Sequence, residues 1–339
     1  MQEKLRVALF GAGRIGQIHG RNIAAHPGLE LVAVCDPFGD AAEKLAASIG
    51  GLATTDTSKA FAQDLDAVVI GTPNSTHIDL MLQASEKGLA VLCEKPIDLS
   101  LDRVRSAWQQ LQTSQAPLML GFNRRYDPNF AAVHSRTQAG EIGRLEQLTI
   151  TSRDPAPSPK EYVATSGGIF RDMTIHDFDM ARFFVPDIVE VHAYGGNAFS
   201  DYTKELGDFD QAVVTLRGAG DELVTIINSR HSAYGYDQRV EAFGSEGMLQ
   251  AGNVLPTTVQ CSTGRGTGQG DPNLNFFLER YADAYRAELD AFVDFVISGV
   301  EPSPSYLDGM RALELAVAAA ESAKTGRSVG IEWGANVRA

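Results

Sequence analysis

Leu5-Arg6-Val7-Ala8-Leu9-Phe10-Gly11-Ala12-Gly13-Arg14-Ile15-Gly16 decides how the chain begins to fold. The first six residues are an apolar run of strand length, and the next six carry G-x-G-x-x-G spacing. A helical segment follows, from about Ile15 to Ala25, closed by His26-Pro27-Gly28. A second apolar run, Leu29 to Cys35, ends in Asp36, an acid twenty residues beyond Gly16. A glycine triplet alone is weak evidence. Set between a strand and a helix, with an acid at that distance, it reads as a dinucleotide-binding fingerprint. Gly11 permits the tight turn, Gly13 lets the backbone approach a pyrophosphate, and Gly16 lets helix and strand pack closely. The helix start offers free N–H groups to the phosphates. Gly11, Gly13, Arg14, Ile15, Gly16 and Asp36 are therefore candidate cofactor contacts. A carboxylate at Asp36 accepts hydrogen bonds from ribose hydroxyls and repels a 2′-phosphate. Pro37-Phe38-Gly39 supplies no basic residue to offset that repulsion, so the expected cofactor is NAD rather than NADP.

The alternation continues. Apolar runs at Ala67–Ile70, Ala90–Cys93 and Pro117–Gly121 are separated by helical segments, including His77 to Lys87 with Gly88 as its stop. Short polar connections between alternating strands and helices imply a doubly wound parallel sheet, an α/β domain. Ligands in such sheets bind outside the carboxyl ends of the strands. Thr72, Pro73, Asn74 and His77 fall at one such end, Glu94-Lys95-Pro96 at another, and Asn123-Arg124-Arg125 at a third. Lys95 sits between Glu94 and Pro96, and the proline restricts its backbone to extended geometry. Its ammonium suits a substrate hydroxyl; it equally suits a solvated pair with Glu94. His77 reads as cofactor-side or structural.

After about residue 122 the rhythm changes. Runs at Leu145–Ser152, Glu190–Tyr194, Gln211–Leu216, Glu222–Ser229, Gln238–Phe243 and Met248–Ala251 have strand length, with few helices between them. The expectation is residues 1–122 as a Rossmann domain. Residues 123–339 then form an α+β domain with a large, mostly antiparallel sheet. Several of these strands look apolar on both faces, so pairing of subunits through the sheet, as dimer or tetramer, is expected. Long helices are expected at Leu274–Val296 and Leu307–Thr325. Ser152 to Pro159 reads as a proline-stiffened turn, and Gly264 to Gly270 as a flexible tip.

Gly168 to Arg182 reads as the start of one amphipathic helix. Asp172 and His176 are four apart, which on a helix places them on one face. A carboxylate beside an imidazole is a proton-transfer pair; an acidic first turn with a core histidine is the plain alternative.

Composition narrows the classes. The chain has 339 residues, 44% hydrophobic and 21% charged, enough for two globular domains. Its formal charge of −14 disfavours nucleic acid and anionic membranes as partners. No apolar run reaches membrane-spanning length, and no signal-peptide core precedes the first strand. Cys35, Cys93 and Cys261 are few and scattered, which fits a reducing cytoplasm and gives no metal-site spacing.

Together, Gly11-x-Gly13-x-x-Gly16, Glu94-Lys95-Pro96 and Gly167-Gly168…Asp172-x-x-x-His176-x-x-Asp179 resemble the Gfo/Idh/MocA family of glucose–fructose oxidoreductases and inositol dehydrogenases. Thr151 to Pro157, Tyr234 to Arg239 and Phe277 to Ala282 resemble its inositol 2-dehydrogenase branch. The resemblance implies Lys95, Asp172 and His176 as the catalytic set, and a cis Lys95-Pro96 bond. It implies that Asp154, Arg125 and Tyr236 line a polyol site, to which Asn123 can add a hydrogen bond. Which of Arg124 and Arg125 faces the substrate stays open. The implied reaction is NAD-dependent oxidation of myo-inositol to the 2-keto sugar, without metal. Scyllo- or chiro-inositol, or an aldose such as glucose, is the alternative substrate. A cofactor-binding regulator that has lost chemistry is the alternative class, but such a protein should lack the lysine or the histidine.

Overall fold

A computed structural model describes residues 4–113, 117–300 and 302–333. Residues 334–339, within the range expected for the second domain, lie outside it, as do 1–3 of the first. The described chain divides into two units: Met1–Asn123 with Ala284–Arg311, and Arg124–Asp283 with Ala312–Ala339.

The first unit is built on six strands: β1 Leu5–Phe10, β2 Leu29–Cys35, β3 Leu52–Thr54, β4 Ala67–Ile70, β5 Ala90–Glu94 and β6 Leu118–Gly121. They pair in parallel in the order β3-β2-β1-β4-β5-β6. This is the doubly wound order whose reversal lies between β1 and β4. β1, β4 and β5 are almost wholly buried, as continuous apolar runs in a sheet covered on both faces should be. β3 has three residues, none buried, so the sequence pattern gave no sign of it.

The segment Ala284–Arg311 joins this unit rather than the one that precedes it in sequence. Tyr306 is buried, stacks on Trp108 with ring centroids 5.3 Å apart, and donates its hydroxyl to the Val104 carbonyl at 2.8 Å. Leu120 N–H donates to the Pro304 carbonyl at 2.9 Å.

The second unit carries β7 Leu145–Arg153, β8 Ile188–Gly196, β9 Gln211–Gly218, β10 Leu223–Ser229, β11 Asp237–Gly244 and β12 Gly247–Ala251. Their order is β12-β11-β7-β10-β9-β8, with Val329–Gly330 pairing on β8. Only the β7–β10 pair is parallel. β9 alternates exposed and buried along its whole length. One face buries Leu148, Ile150, Val214, Leu216, Val224 and Ile226; the other leaves Tyr194, Val213 and Phe243 exposed. The helix Ile175–Phe184 packs against β7. The glycine-rich tip is a two-stranded hairpin, Cys261–Thr263 with Gly266–Gln269. The expected helix from Leu274 is two pieces, Phe277–Arg280 and Ala282–Ser298.

Candidate active site

In the first unit the glycine loop follows β1 and meets the start of the loop after β4. Gly11 has φ +99°, and a Cβ there would lie 2.5 Å from the Gly71 carbonyl oxygen. A Cβ on Gly16 would lie 1.9 Å from the Gly11 oxygen. Neither position admits a side chain. Gly13 is different: a Cβ there would meet nothing within 4 Å. Its absence keeps open space above the loop, the approach a pyrophosphate needs. Helix Arg14–Ala25 starts without a side-chain cap and with no acid in its first turn, leaving its N–H groups for an anion. Asp36 is buried at the end of β2. Its Oδ2 accepts from Ala12 N–H at 2.7 Å and its Oδ1 from Phe38 N–H at 2.9 Å. The loop and the acid are thus locked together, and these residues fit a dinucleotide.

Asp36→Ala should lower kcat/KM for NAD by about tenfold to a hundredfold, the loss of one or two hydrogen bonds to a charged group. The preference for NAD over NADP should shrink in the same variant. Steady-state kinetics with both cofactors check this; a wild-type preference for NADP contradicts it.

Thr72, Pro73 and Asn74 follow β4, and Asn74–Thr76 forms a single 3-10 turn. His77 is buried, with Nδ1 2.8 Å from the Pro96 carbonyl and Nε2 2.9 Å from the Thr72 carbonyl. Burial pushes its pKa down. His77 thus lies between the loop after β4 and the loop after β5, close to a backbone carbonyl of each. Lys95 follows β5, is half-buried, and is joined to Pro96 by a cis bond. Glu94 is buried and takes a partner that the sequence did not suggest: His19 Nε2 donates to its Oε1 at 2.8 Å. Asn123 is buried at the end of this unit, and its side-chain nitrogen has no protein partner among the described residues.

Behind Glu94 lies Glu288, fully buried, both of its carboxyl oxygens without a hydrogen-bond partner among the described residues. Burial first, and the charge of Glu94 second, push its pKa well above the usual carboxylate range. The folded protein therefore keeps a proton that the unfolded chain releases. Stability is greatest below the ordinary glutamate pKa and is lost as pH rises toward the folded value, by up to about 1.4 kcal/mol per pH unit. Glu288→Gln should flatten this slope, and its Tm should exceed the wild type's at pH 8. Thermal melts from pH 5 to 9 check it; parallel curves contradict it.

In the second unit the stretch expected as one helix is two. Ile169–Asp172 ends, Met173 and Thr174 intervene, and Ile175–Phe184 begins. At the break the Thr174 hydroxyl reaches Asn228 Oδ1 at 2.6 Å and the Ile169 carbonyl at 3.2 Å. Asp172 therefore closes one helix and His176 lies in the first turn of the next. Their shared helical face is not a property of one continuous helix. Asp172 Oδ1 accepts the Tyr162 hydroxyl at 2.7 Å, and its Oδ2 lies 3.5 Å from Arg230.

Asp154 follows β7, its N–H bonded to the Ser229 carbonyl at 2.9 Å. Burial of its carboxyl, then the charge of Asp172, raise its pKa to about 7, with Arg230 and Arg124 opposing. Tyr236 is buried against Tyr281, ring centroids 6.0 Å apart. Both basic neighbours are engaged by acids. Arg124 bonds Asp177 at 2.5 Å and Ser152 Oγ at 2.9 Å; Arg125 grips Asp179 through two bonds of 2.6 and 2.8 Å. Asp177 also accepts from Ser152 Oγ at 2.6 Å and Asn228 Nδ2 at 2.8 Å. Among the described residues no group of three or more His, Cys, Asp or Glu is placed to hold a metal, and no helix is long and apolar enough to cross a membrane.

Two family models match. Residues 5–122 match the oxidoreductase family with NAD-binding Rossmann fold, and residues 130–250 match the GFO/IDH/MocA C-terminal domain. The chain is 44% identical to inositol 2-dehydrogenase of Rhizobium meliloti, over 96% of this chain and 99% of that protein. It is 40% identical to myo-inositol 2-dehydrogenase of Thermotoga maritima, over 97% and 99%. A crystal structure of a myo-inositol dehydrogenase from Corynebacterium glutamicum superposes with a TM-score of 0.96 at 56% identity, covering 98% of this chain and all of that one. With its glycine loop, Asp36 and Lys95-cis-Pro96 in one unit and its Asp172/His176 pair in the other, this chain belongs to the Gfo/Idh/MocA family of NAD-binding oxidoreductases.

Proposed function

We propose that the protein is an inositol 2-dehydrogenase that oxidises myo-inositol at its 2-hydroxyl to 2-keto-myo-inositol, serving inositol catabolism in the cytoplasm. The observation that carries the reading is the cluster of Asp154, Asp172, Tyr236 and Arg124 in the second unit: burial and the charge of Asp172 raise the pKa of Asp154, while Arg124 opposes the rise at both Asp154 and Tyr236. A neutral polyol offers only hydroxyls to grip, so its site needs several placed donors and acceptors. Asp154 near pKa 7 can serve as either. The similarity to inositol dehydrogenases over nearly the whole chain supports the same reading.

In this reading His176, oriented by Asp172, accepts the proton of the hydroxyl as general base. Lys95 donates to the same oxygen and stabilises its developing charge. Bound NAD supplies the acceptor for the hydride leaving the ring carbon. Gly11, Gly13, Arg14, Ile15, Gly16 and Asp36 hold that cofactor, with Thr72, Pro73, Asn74, His77 and Glu94 shaping the loops beside it. Asn123, Arg125, Asp154 and Tyr236 surround the polyol.

NADH formation across myo-, scyllo- and chiro-inositol and glucose tests the substrate. The highest kcat/KM should be for myo-inositol, and an epimer should fall far below it because buried polar groups would lose partners. A higher value for any competitor overturns the assignment. We assign the exposed sheet face around Tyr194, Val213 and Phe243 to pairing with further copies of the chain, as dimer or tetramer; a monomer by light scattering would contradict this.

A further inference from the structure

Beyond Asp154, the segment between β7 and the helix Ile169–Asp172 has no part in the reaction described above, although three prolines stiffen it: Pro155, Pro157 and Pro159. It leads into the helix Lys160–Ser166. Two contacts pin it to the helix Asp201–Glu205: Tyr202 donates its hydroxyl to the Ser158 carbonyl at 2.6 Å, and Lys160 pairs with Glu205 at 2.7 Å. Both contacts lie just ahead of Tyr162 in the chain, at the start of its helix.

Tyr162 leaves about half its surface exposed, yet its hydroxyl is directed inward, onto Asp172 Oδ1 at 2.7 Å. Burial and the neighbouring carboxylate push the phenol's pKa up, so it remains a donor throughout the working range. The second oxygen of Asp172 faces Arg230, which is itself immobilised. Arg230 is buried, bonds Asp208 Oδ2 at 3.0 Å, and bonds the Phe209 carbonyl at 3.3 Å. Asp208 in turn accepts from Ile169 N–H at 2.9 Å, at the start of the helix that Asp172 ends.

These contacts matter because the helix breaks at Met173–Thr174. Asp172 is the last residue of one helix, and only the turn Met173–Thr174 separates it from the next. At that position the tyrosine gives its carboxylate a short bond on one oxygen, and the arginine faces the other.

We propose that Tyr162 is a positioning residue for Asp172, its hydroxyl and Arg230 together fixing the carboxylate in the orientation the reaction uses. The proposal rests on the reading of Asp172 as a member of the catalytic set.

The test is a cycle of Tyr162→Phe, Asp172→Asn and the double variant, each assayed with NAD and myo-inositol and each melted. Tyr162→Phe removes one oxygen from a half-exposed ring, so its Tm should stay near the wild type's. Its kcat should fall about tenfold to a hundredfold, the range for one lost hydrogen bond to a charged group. KM should change less than threefold. In the Asp172→Asn background the same change should alter kcat by less than twofold, because the group it positions is already gone. A rise in KM with kcat preserved, an equal loss of kcat in both backgrounds, or no loss in either would overturn the proposal. Asp172→Asn with wild-type kcat would overturn it too. That last result alone would locate the failure in the catalytic role of Asp172 rather than in Tyr162.

Discussion

His176→Ala should lower kcat for myo-inositol oxidation by about two to four orders of magnitude, the usual contribution of a positioned general base. KM and Tm should change little. The imidazole sits half-buried in the first turn of the helix Ile175–Phe184, anchored by its neighbours. Thr174 on one side bonds Asn228, and Asp177 on the other accepts Arg124, Ser152 and Asn228. The position of His176 is thus set by the residues flanking it, so replacing the ring should leave the fold intact. His77, the competing histidine, is a poor candidate for the base, because both its nitrogens face backbone carbonyls. Turnover by His176→Ala near the wild-type rate at neutral pH would remove His176 from the mechanism.

Lys95→Ala should cause a loss of similar size. The lysine stands half-buried at the carboxyl end of β5, next to buried Glu94. An ammonium held there can stabilise an alkoxide as it forms, an interaction stronger in the transition state than in the ground state. The loss should therefore appear in kcat more than in KM. Lys95→Arg should not restore activity, since a planar guanidinium cannot present a compact point charge in the same place. NAD affinity, read from fluorescence quenching, should stay within a few-fold of the wild type. Lys95→Ala with unimpaired kcat would contradict the assignment.

What the sequence disclosed follows from range. The glycine spacing, the acid at Asp36 and the strand–helix alternation are local patterns, and the first unit has the sheet they imply. The second sheet was legible for the same reason: β9 alternates strictly, and its partners have strand length. Features created by distant partners were not legible. Arg124 and Asp177 are 53 residues apart, and Arg125 and Asp179 are 54 apart. Neither pairing has a local signature, because only the fold brings the acids to the arginines. At the break between Asp172 and His176, Thr174 likewise bonds to Asn228 on a distant strand. The return of Ala284–Arg311 to the first unit is written in buried aromatic contacts such as Tyr306 on Trp108. Hydrophobic periodicity marks such a helix without saying which core it joins.

The central claim is hydride removal from the carbon bearing the 2-hydroxyl of myo-inositol. Turnover of myo-inositol deuterated at that carbon, with NAD, tests it most directly. The deuterium should leave with the reduced cofactor, and the product should be 2-keto-myo-inositol. Deuterium retained in an oxidised sugar, or no reduction of NAD, would contradict it.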